Sequence, residues 1–432
     1  MQTTQIPKRW QGPFFAIWTG QALSMLGSRL VQFSLVWWLT RETGSGTILA
    51  MATLVALLPG IILGPFAGAL VDRWNRRRVM IVADAFVALV SAGLVYLSWS
   101  GSLQVWHIYA AMLARALGEA FHWPAMQAST SLMVPEVHLS RVAGVNQTLT
   151  GALNIVGPPL GAIALSLLPL HGVMAIDVGT AALAIVPLLF VAIPQPRRAA
   201  GEGAGGRPAT VWQDFLAGLR YAWSWPGLMA ALAMAMIINF VVNPGFALMP
   251  LLVTQHFGGG ALELGWLESA WGVGMLAGAL LLSVWGGFRR RVYTSLSAMV
   301  ISGLGIAVVG LARSTAFPLA LGAMFVAGAM NPLINGPLFA ILQATVAPEM
   351  QGRILTLVMS LATAMMPLSL AVAGPVADMV GVQPWYLAGG VLYALVGFGG
   401  FFVRPLVNIE QNGHSPRPAP ATEAAATPVS GE

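Results

Sequence analysis

The chain has 432 residues, 57% hydrophobic and only 8% charged, with a mean hydropathy of +0.76. Soluble domains hold roughly 45–50% apolar residues, so composition excludes a soluble globular fold and indicates an integral membrane protein. The absence of cysteine excludes a disulfide framework and a thiolate metal site. The net charge of +6 is accounted for by membrane topology and calls for no nucleic-acid partner.

In chain order, apolar runs long enough to cross a bilayer as helices fall at roughly 13–39, 46–70, 79–99, 105–133, 141–168, 172–193, 227–255, 262–286, 292–312, 316–343, 350–380 and 384–403. The expectation is an all-α protein of twelve transmembrane helices, six per half. The first run is too long for a signal-peptide core and no small-residue cleavage site follows it, so no processing is expected. Positive residues near span ends stay on the cytoplasmic side. With the N-terminus inside, the inner segments hold seventeen of the 21 Lys and Arg residues, the outer loops hold Arg41 and Arg313, and Arg29 and Arg115 fall within spans. Both termini are therefore predicted to be cytoplasmic.

The expected division is an N-terminal six-helix bundle over 1–193, a cytoplasmic linker over 194–225, a C-terminal bundle over 226–405 and a disordered cytoplasmic tail over 406–432. The start of the linker is rich in Pro, Gly and Ala. Its end, from Val211 to Trp223, repeats apolar residues at helical spacing opposite Gln213, Asp214 and Arg220, the pattern of an interfacial amphipathic helix.

The densest charge in the chain is Asp72-Arg73-Trp74-Asn75-Arg76-Arg77-Arg78, a short loop between spans two and three. A basic triplet returns at Arg289, Arg290 and Arg291, 213 positions on. The same ungapped offset carries Trp10 to Trp223, Pro13 to Pro226, Pro124 to Pro337, Pro135 to Pro348, Glu136 to Glu349 and Gly161 to Gly374. Such coincidences argue for a duplicated chain, a design that transporters favour.

Gly68-x-Leu70-x-Asp72-Arg73-x-x-Arg76-Arg77 resembles the loop between helices two and three of the major facilitator superfamily, with Asn75 standing where that family usually has Gly. Arg115-x-x-Gly118 resembles the superfamily's second motif, with Ala120 replacing a later Gly. Gly157-Pro158-Pro159-x-Gly161 is similar to the motif associated with its antiporters. Trp212 to Tyr221 is similar to a linker helix of the macrolide-efflux and enterobactin-exporter branch. The resemblance implies alternating access by two six-helix bundles about a central cavity, in a bacterial inner membrane. It also implies an inner gate in which Asp72 faces the start of span eleven, where Glu349 and Arg353 lie. Arg73, Arg76, Arg77, Asp84 and Glu136, the repeat counterpart of Glu349, complete the expected gate set.

A charge at the bilayer centre costs about 2.5–3.5 kcal/mol on insertion scales, so intramembrane ionisable residues are candidates for function. Arg115 and Glu119 are four residues apart in the middle of span four and share a helix face; His122 adjoins Glu119. Glu119 is either the proton carrier, with His122 as relay, or half of a fixed ion pair with Arg115. Arg29 is expected to meet Asp177, to point into the cavity at the substrate, or to snorkel to the outer interface. Glu268 is a secondary proton candidate, and Asp378 reads as interfacial. Gln21, Arg29, Gln32, Asn154, Asn239, Asn243, Asn331 and Asn335, with Phe121, Trp271 and Phe339, are the candidate lining of an apolar pocket with a few placed polar groups.

No phosphate-binding loop, metal-ligand His cluster or nucleophile elbow is present in the sequence. The expectation is a non-enzymatic, cofactor-free and metal-free monomer in the lipid bilayer. It would exchange protons for a hydrophobic drug-like or secondary-metabolite substrate. A lysophospholipid or siderophore transporter without obligatory proton coupling, and a receptor or scaffold without turnover, are the alternatives.

Overall fold

The computed structural model describes residues 10–71, 73–193, 219, 220, 222, 223, 225–346 and 348–410; the side chains of 65, 69, 348, 349 and 353 lie outside that description. Among the described residues twelve long helices follow one another: α1 (Gln11–Thr43), α2 (Gly46–Val71), α3 (Arg76–Trp99), α4 (Val105–Met133), α5 (Glu136–Leu167), α6 (Leu170–Phe190), α7 (Pro226–Leu251), α8 (Ala261–Trp285), α9 (Arg291–Leu311), α10 (Phe317–Thr345), α11 (Pro348–Val380) and α12 (Gln383–Gly400). A four-residue helix, α13 (Arg404–Val407), ends the described chain. There is no strand among the described residues. A membrane core forces this, because lipid offers backbone N–H and C=O groups no partners and a helix satisfies them internally.

Nine of these helices are long and apolar enough to span a membrane by their own composition. The three that miss this standard are α1, α4 and the 18-residue α12. Helix α1 carries Gln21, Arg29 and Gln32, and α4 carries Arg115, Glu119 and His122. Their polarity is turned into the protein rather than toward lipid.

Six helices form each bundle, and the packing itself is duplicated. In the first bundle α1 packs on α5 and α6, α3 on α4 and α6, and α2 on α4; in the second α7 packs on α11 and α12, α9 on α10 and α12, and α8 on α10. Each pair recurs six helices later, the structural form of the 213-residue sequence offset. Of the pairs that cross between bundles, the two most extensive, α5 with α8 and α2 with α11, exchange under the same shift; α7 also touches α2 and α1. Where helices meet most closely, glycine is required. A Cβ on Gly390 would stand 2.2 Å from Ala307 N and one on Gly303 2.3 Å from Ala394 N, so α9 and α12 touch backbone to backbone.

The face carrying the 73–78 loop and Arg289 to Arg291 is the basic face. Linker residues 194–210 and most of the amphipathic segment lie outside the described residues, although Leu219, Arg220, Ala222 and Trp223 are helical. Leu406 and Ile409 are buried, and Glu410 Oε1 accepts a 2.8 Å hydrogen bond from Val292 N. Packing against the second bundle therefore extends past residue 406, where the tail was expected to begin.

Candidate functional site: a polar cavity and a one-sided seam

Helices α1 to α4 line a cavity of about 300 Å³ whose walls include Gln21, Arg29, Gln32, Asp84, Arg115, Glu119 and His122. The first bundle thus gathers most of its intramembrane polar residues in one place. Two buried clusters support it. Asp177 on α6, fully buried, accepts from Arg115 Nη1 at 2.5 Å, Ser91 Oγ at 2.6 Å and Ser28 Oγ at 3.0 Å. Asp84 on α3 accepts from Gln21 Nε2 at 2.8 Å and faces His122 Nε2 at 3.3 Å.

Arg115 is therefore paired with Asp177 across the bundle, not with Glu119 on its own helix, because the buried carboxylate on α6 meets it end to end. The pairing also takes Asp177 from Arg29, which is exposed and faces the cavity. Glu119 is exposed to the same cavity and makes no hydrogen bond or ion pair with a described residue. Its nearest titratable neighbour on α4 is His122, one turn along, whose Nε2 lies 3.3 Å from the Asp84 carboxyl.

The expected gate divides. Asp72 lies outside the described residues, as do the side chains of Glu349 and Arg353. Arg73 and Glu136 are exposed on the basic face. Arg76 and Arg77 bind within their own bundle: Arg76 Nη1 donates to Ala128 O at 3.3 Å, and Arg77 donates to Leu188 O and, at 2.5 Å, to Leu189 O. Both arginines satisfy carbonyls near helix C-termini, where cations are favoured. Asp84 belongs to the cavity, not to the gate loop, because a position eight residues into α3 has already entered the bundle.

Of the remaining candidate lining, Asn154 lies one turn from Gly157, the α5 residue that packs on Arg29. In the second bundle the amides bond along their own helices: Asn243 Nδ2 donates to Asn239 Oδ1 at 3.1 Å, and Asn335 Nδ2 to Asn331 O at 3.0 Å. Phe339 continues the Asn331 and Asn335 stripe of α10 at four-residue spacing. Trp271 packs edge-on to Phe246, with ring centroids 4.9 Å apart, and walls a void of about 20 Å³ beside Tyr386, room for about one water. Phe121 lies outside the polar cavity, in a groove on the far side of α3 and α4, with its ring 6.1 Å from that of Trp74.

Every cross-bundle hydrogen bond between described residues sits toward the face opposite the basic one. Asp378, in the last turn of α11, accepts from Gly46 N at 2.5 Å, Ser45 Oγ at 2.9 Å and Thr47 N at 3.0 Å. It caps the N-terminus of α2 from the other bundle, where both the free N–H groups and the helix dipole favour a carboxylate. Gln255 Nε2 donates to Gly44 O at 2.9 Å beside it. In the second crossing, Pro159 lacks an N–H and so frees the carbonyl of Ile155 four residues earlier. Ser269 Oγ on α8 donates to that carbonyl at 3.1 Å. A Cβ on Gly265 would stand 3.1 Å from Pro159 Cα and one on Gly272 2.6 Å from Ile155, so the seam closes through glycine.

The interfacial reading of Asp378 missed this cap, since its partners lie more than 330 residues away in sequence. Asp378→Asn is expected to shift the population toward separation at this face by roughly fivefold, from the about 1 kcal/mol that a carboxylate contributes at a helix N-terminus. Spin labels at Glu42 and Met379, both exposed, report it as a longer distance component. The chain has no cysteine, so labels attach without background.

Two duplicated six-helix bundles, hydrogen-bonded to each other toward one face and with a polar cavity within the first, have the architecture of a secondary transporter. The chain matches the Major Facilitator Superfamily over residues 17–370 and belongs to that family. It is 31% identical over 399 residues to macrolide efflux protein A of Streptococcus pyogenes, covering 92% of this chain and 96% of that protein. It is 26% identical over 414 residues to the multidrug efflux pump Tap of Mycolicibacterium fortuitum, covering 93% and 98%. Among solved structures it is similar in fold, at a TM-score of 0.68 and 12% identity over 96% of this chain and 100% of the other, to an inward-facing, unoccupied bacterial homologue of the human lysosomal transporter Spinster.

Proposed function

We propose that this transporter exports hydrophobic, macrolide-like compounds from the bacterial cytoplasm in exchange for protons, with its basic face and both termini cytoplasmic. One observation carries the reading: Glu119, a carboxylate without a fixed partner among the described residues, faces a cavity within the first bundle, and the hydrogen bonds that join the two bundles lie toward the non-basic side among the described residues. The similarity to macrolide and multidrug efflux proteins supports the cargo class.

In the inward-open state Glu119 gives up its proton to the cytoplasmic side as cargo enters, and the carboxylate holds the cargo's polar or cationic part. Closing on that side requires the seam to part at Asp378, Gln255 and Ser269. Water from outside then reaches Glu119, a proton neutralises it, and cargo held by that charge leaves. Arg115 is committed to Asp177 and fixes the α4 face that presents Glu119. His122 passes charge between Glu119 and Asp84.

Survival of an efflux-deficient bacterial host carrying the gene, across a panel of macrolides, cationic dyes and hydrophilic antibiotics, tests the cargo assignment. Raised tolerance confined to the bulky hydrophobic members is expected. Unchanged tolerance to all of them would refute the assignment.

A further inference from the structure

On the outer side of α3 and α4 lies a groove of about 600 Å³ that the transport cycle does not use. Val82 and Phe86 line it on α3, and Leu117 and Phe121 on α4, with Trp74 and Arg78 at its basic-face end. Val82 is 66% exposed and Phe86 40%, so this is surface that the protein itself leaves uncovered. Eight residues of α3 separate Arg78 from Phe86, about 12 Å along the axis, close to the roughly 15 Å hydrocarbon depth of one leaflet.

The three consecutive arginines at the mouth are not equivalent. Arg76 and Arg77 donate to carbonyls of α4 and α6. Arg78 is exposed; only its backbone N–H is engaged, by Asn75 Oδ1 at 3.1 Å, and its guanidinium has no partner among the described residues. A free cation therefore stands over an apolar slot of acyl-chain depth, with a half-exposed Trp74 at the level where aromatic rings meet headgroups.

We propose that this groove is a binding site for one anionic phospholipid, its phosphate on Arg78 and an acyl chain along Val82, Phe86 and Phe121. Charge complementarity selects the occupant: a guanidinium matches a phosphate in bidentate geometry, and an anionic headgroup leaves no cation of its own to be repelled. The floor of the groove gives the site a purpose. Ala83 and Gly118 line both this groove and the polar cavity, so at these two small residues the wall between lipid and the space that holds Glu119 is thin. An acyl chain seated there thickens the wall where the protein is thinnest.

Native mass spectrometry of the purified full chain, titrated with dioleoyl phosphatidylglycerol or dioleoyl phosphatidylcholine, tests this without any transport assay. One tightly retained phosphatidylglycerol is expected, with phosphatidylcholine held more weakly. Arg78→Gln should lower phosphatidylglycerol retention roughly fivefold, the loss of one basic contact to an anionic lipid, and bring the two lipids level. Val82→Trp, a lipid-facing change that fills the slot and leaves Arg78 in place, should reduce retention of both. Equal retention of the two lipids by the unmodified protein, or phosphatidylglycerol retention indifferent to both substitutions, would overturn the proposal.

Discussion

Asp177→Asn is expected to cost about 3–5 kcal/mol of stability, the penalty for removing one partner of a buried ion pair and leaving the other charge uncompensated. Asp177 is fully buried and accepts three hydrogen bonds, one of them from Arg115, which is itself 8% exposed. An asparagine keeps the shape but has no negative charge, so the guanidinium stays in a membrane interior without its counter-ion. Thermal unfolding of the purified protein in detergent should show the midpoint falling by several degrees. Removing both charges together, as Arg115→Leu with Asp177→Leu, should recover much of the loss, because well-packed apolar residues often replace a buried pair without penalty. A single substitution that leaves the midpoint unchanged would mean that the pair is not what holds α4 to α6.

Glu119→Gln is expected to abolish coupled transport while leaving folding intact. The side chain is exposed to the cavity and bonded to no described residue, so its amide leaves no buried partner unsatisfied. The mutant should express and unfold like the parent, and cells carrying it should lose the tolerance to hydrophobic antibiotics that the parent confers. Glu119→Asp keeps a carboxylate with one methylene less and is expected to retain part of the activity. That contrast separates a titrating role from a packing role, since a packing residue would tolerate Gln better than the shorter Asp.

The sequence made some of this legible and hid the rest for physical reasons. Twelve helices were readable because lipid penalises every unpaired backbone group, which ties span to apolar length. The duplication was readable because Pro135 with Pro348, and the arginine triplets, mark equivalent turns in the two halves. The polar cavity was readable in part: the cost of charge in lipid singles out Arg115, Glu119 and Arg29 wherever they point. What could not be read was partnership. Four-residue spacing put Arg115 beside Glu119, yet the geometry of the bundle gave the guanidinium to Asp177, 62 positions away.

The seam shows the same division. Pro159 leaves a carbonyl of α5 free by its chemistry alone, and the local sequence says nothing about Ser269 as the group that meets it. Asp378 looked interfacial because it falls near the outer end of span eleven. Only the meeting of α2 with α11 turns it into a cap. Phe121 shares α4 with Glu119 but points to lipid, since positions two apart on a helix diverge by about 200°.

The most direct test is transport by the purified protein in liposomes with the membrane potential held at zero and a pH gradient of two units imposed. Macrolide should accumulate toward the more acidic side, up to about 100-fold for one proton exchanged per molecule, because each pH unit supplies about 1.36 kcal/mol. The accumulation should vanish with a protonophore and with Glu119→Gln. Accumulation that ignores the gradient, or that persists undiminished in Glu119→Gln, would contradict proton exchange at this carboxylate.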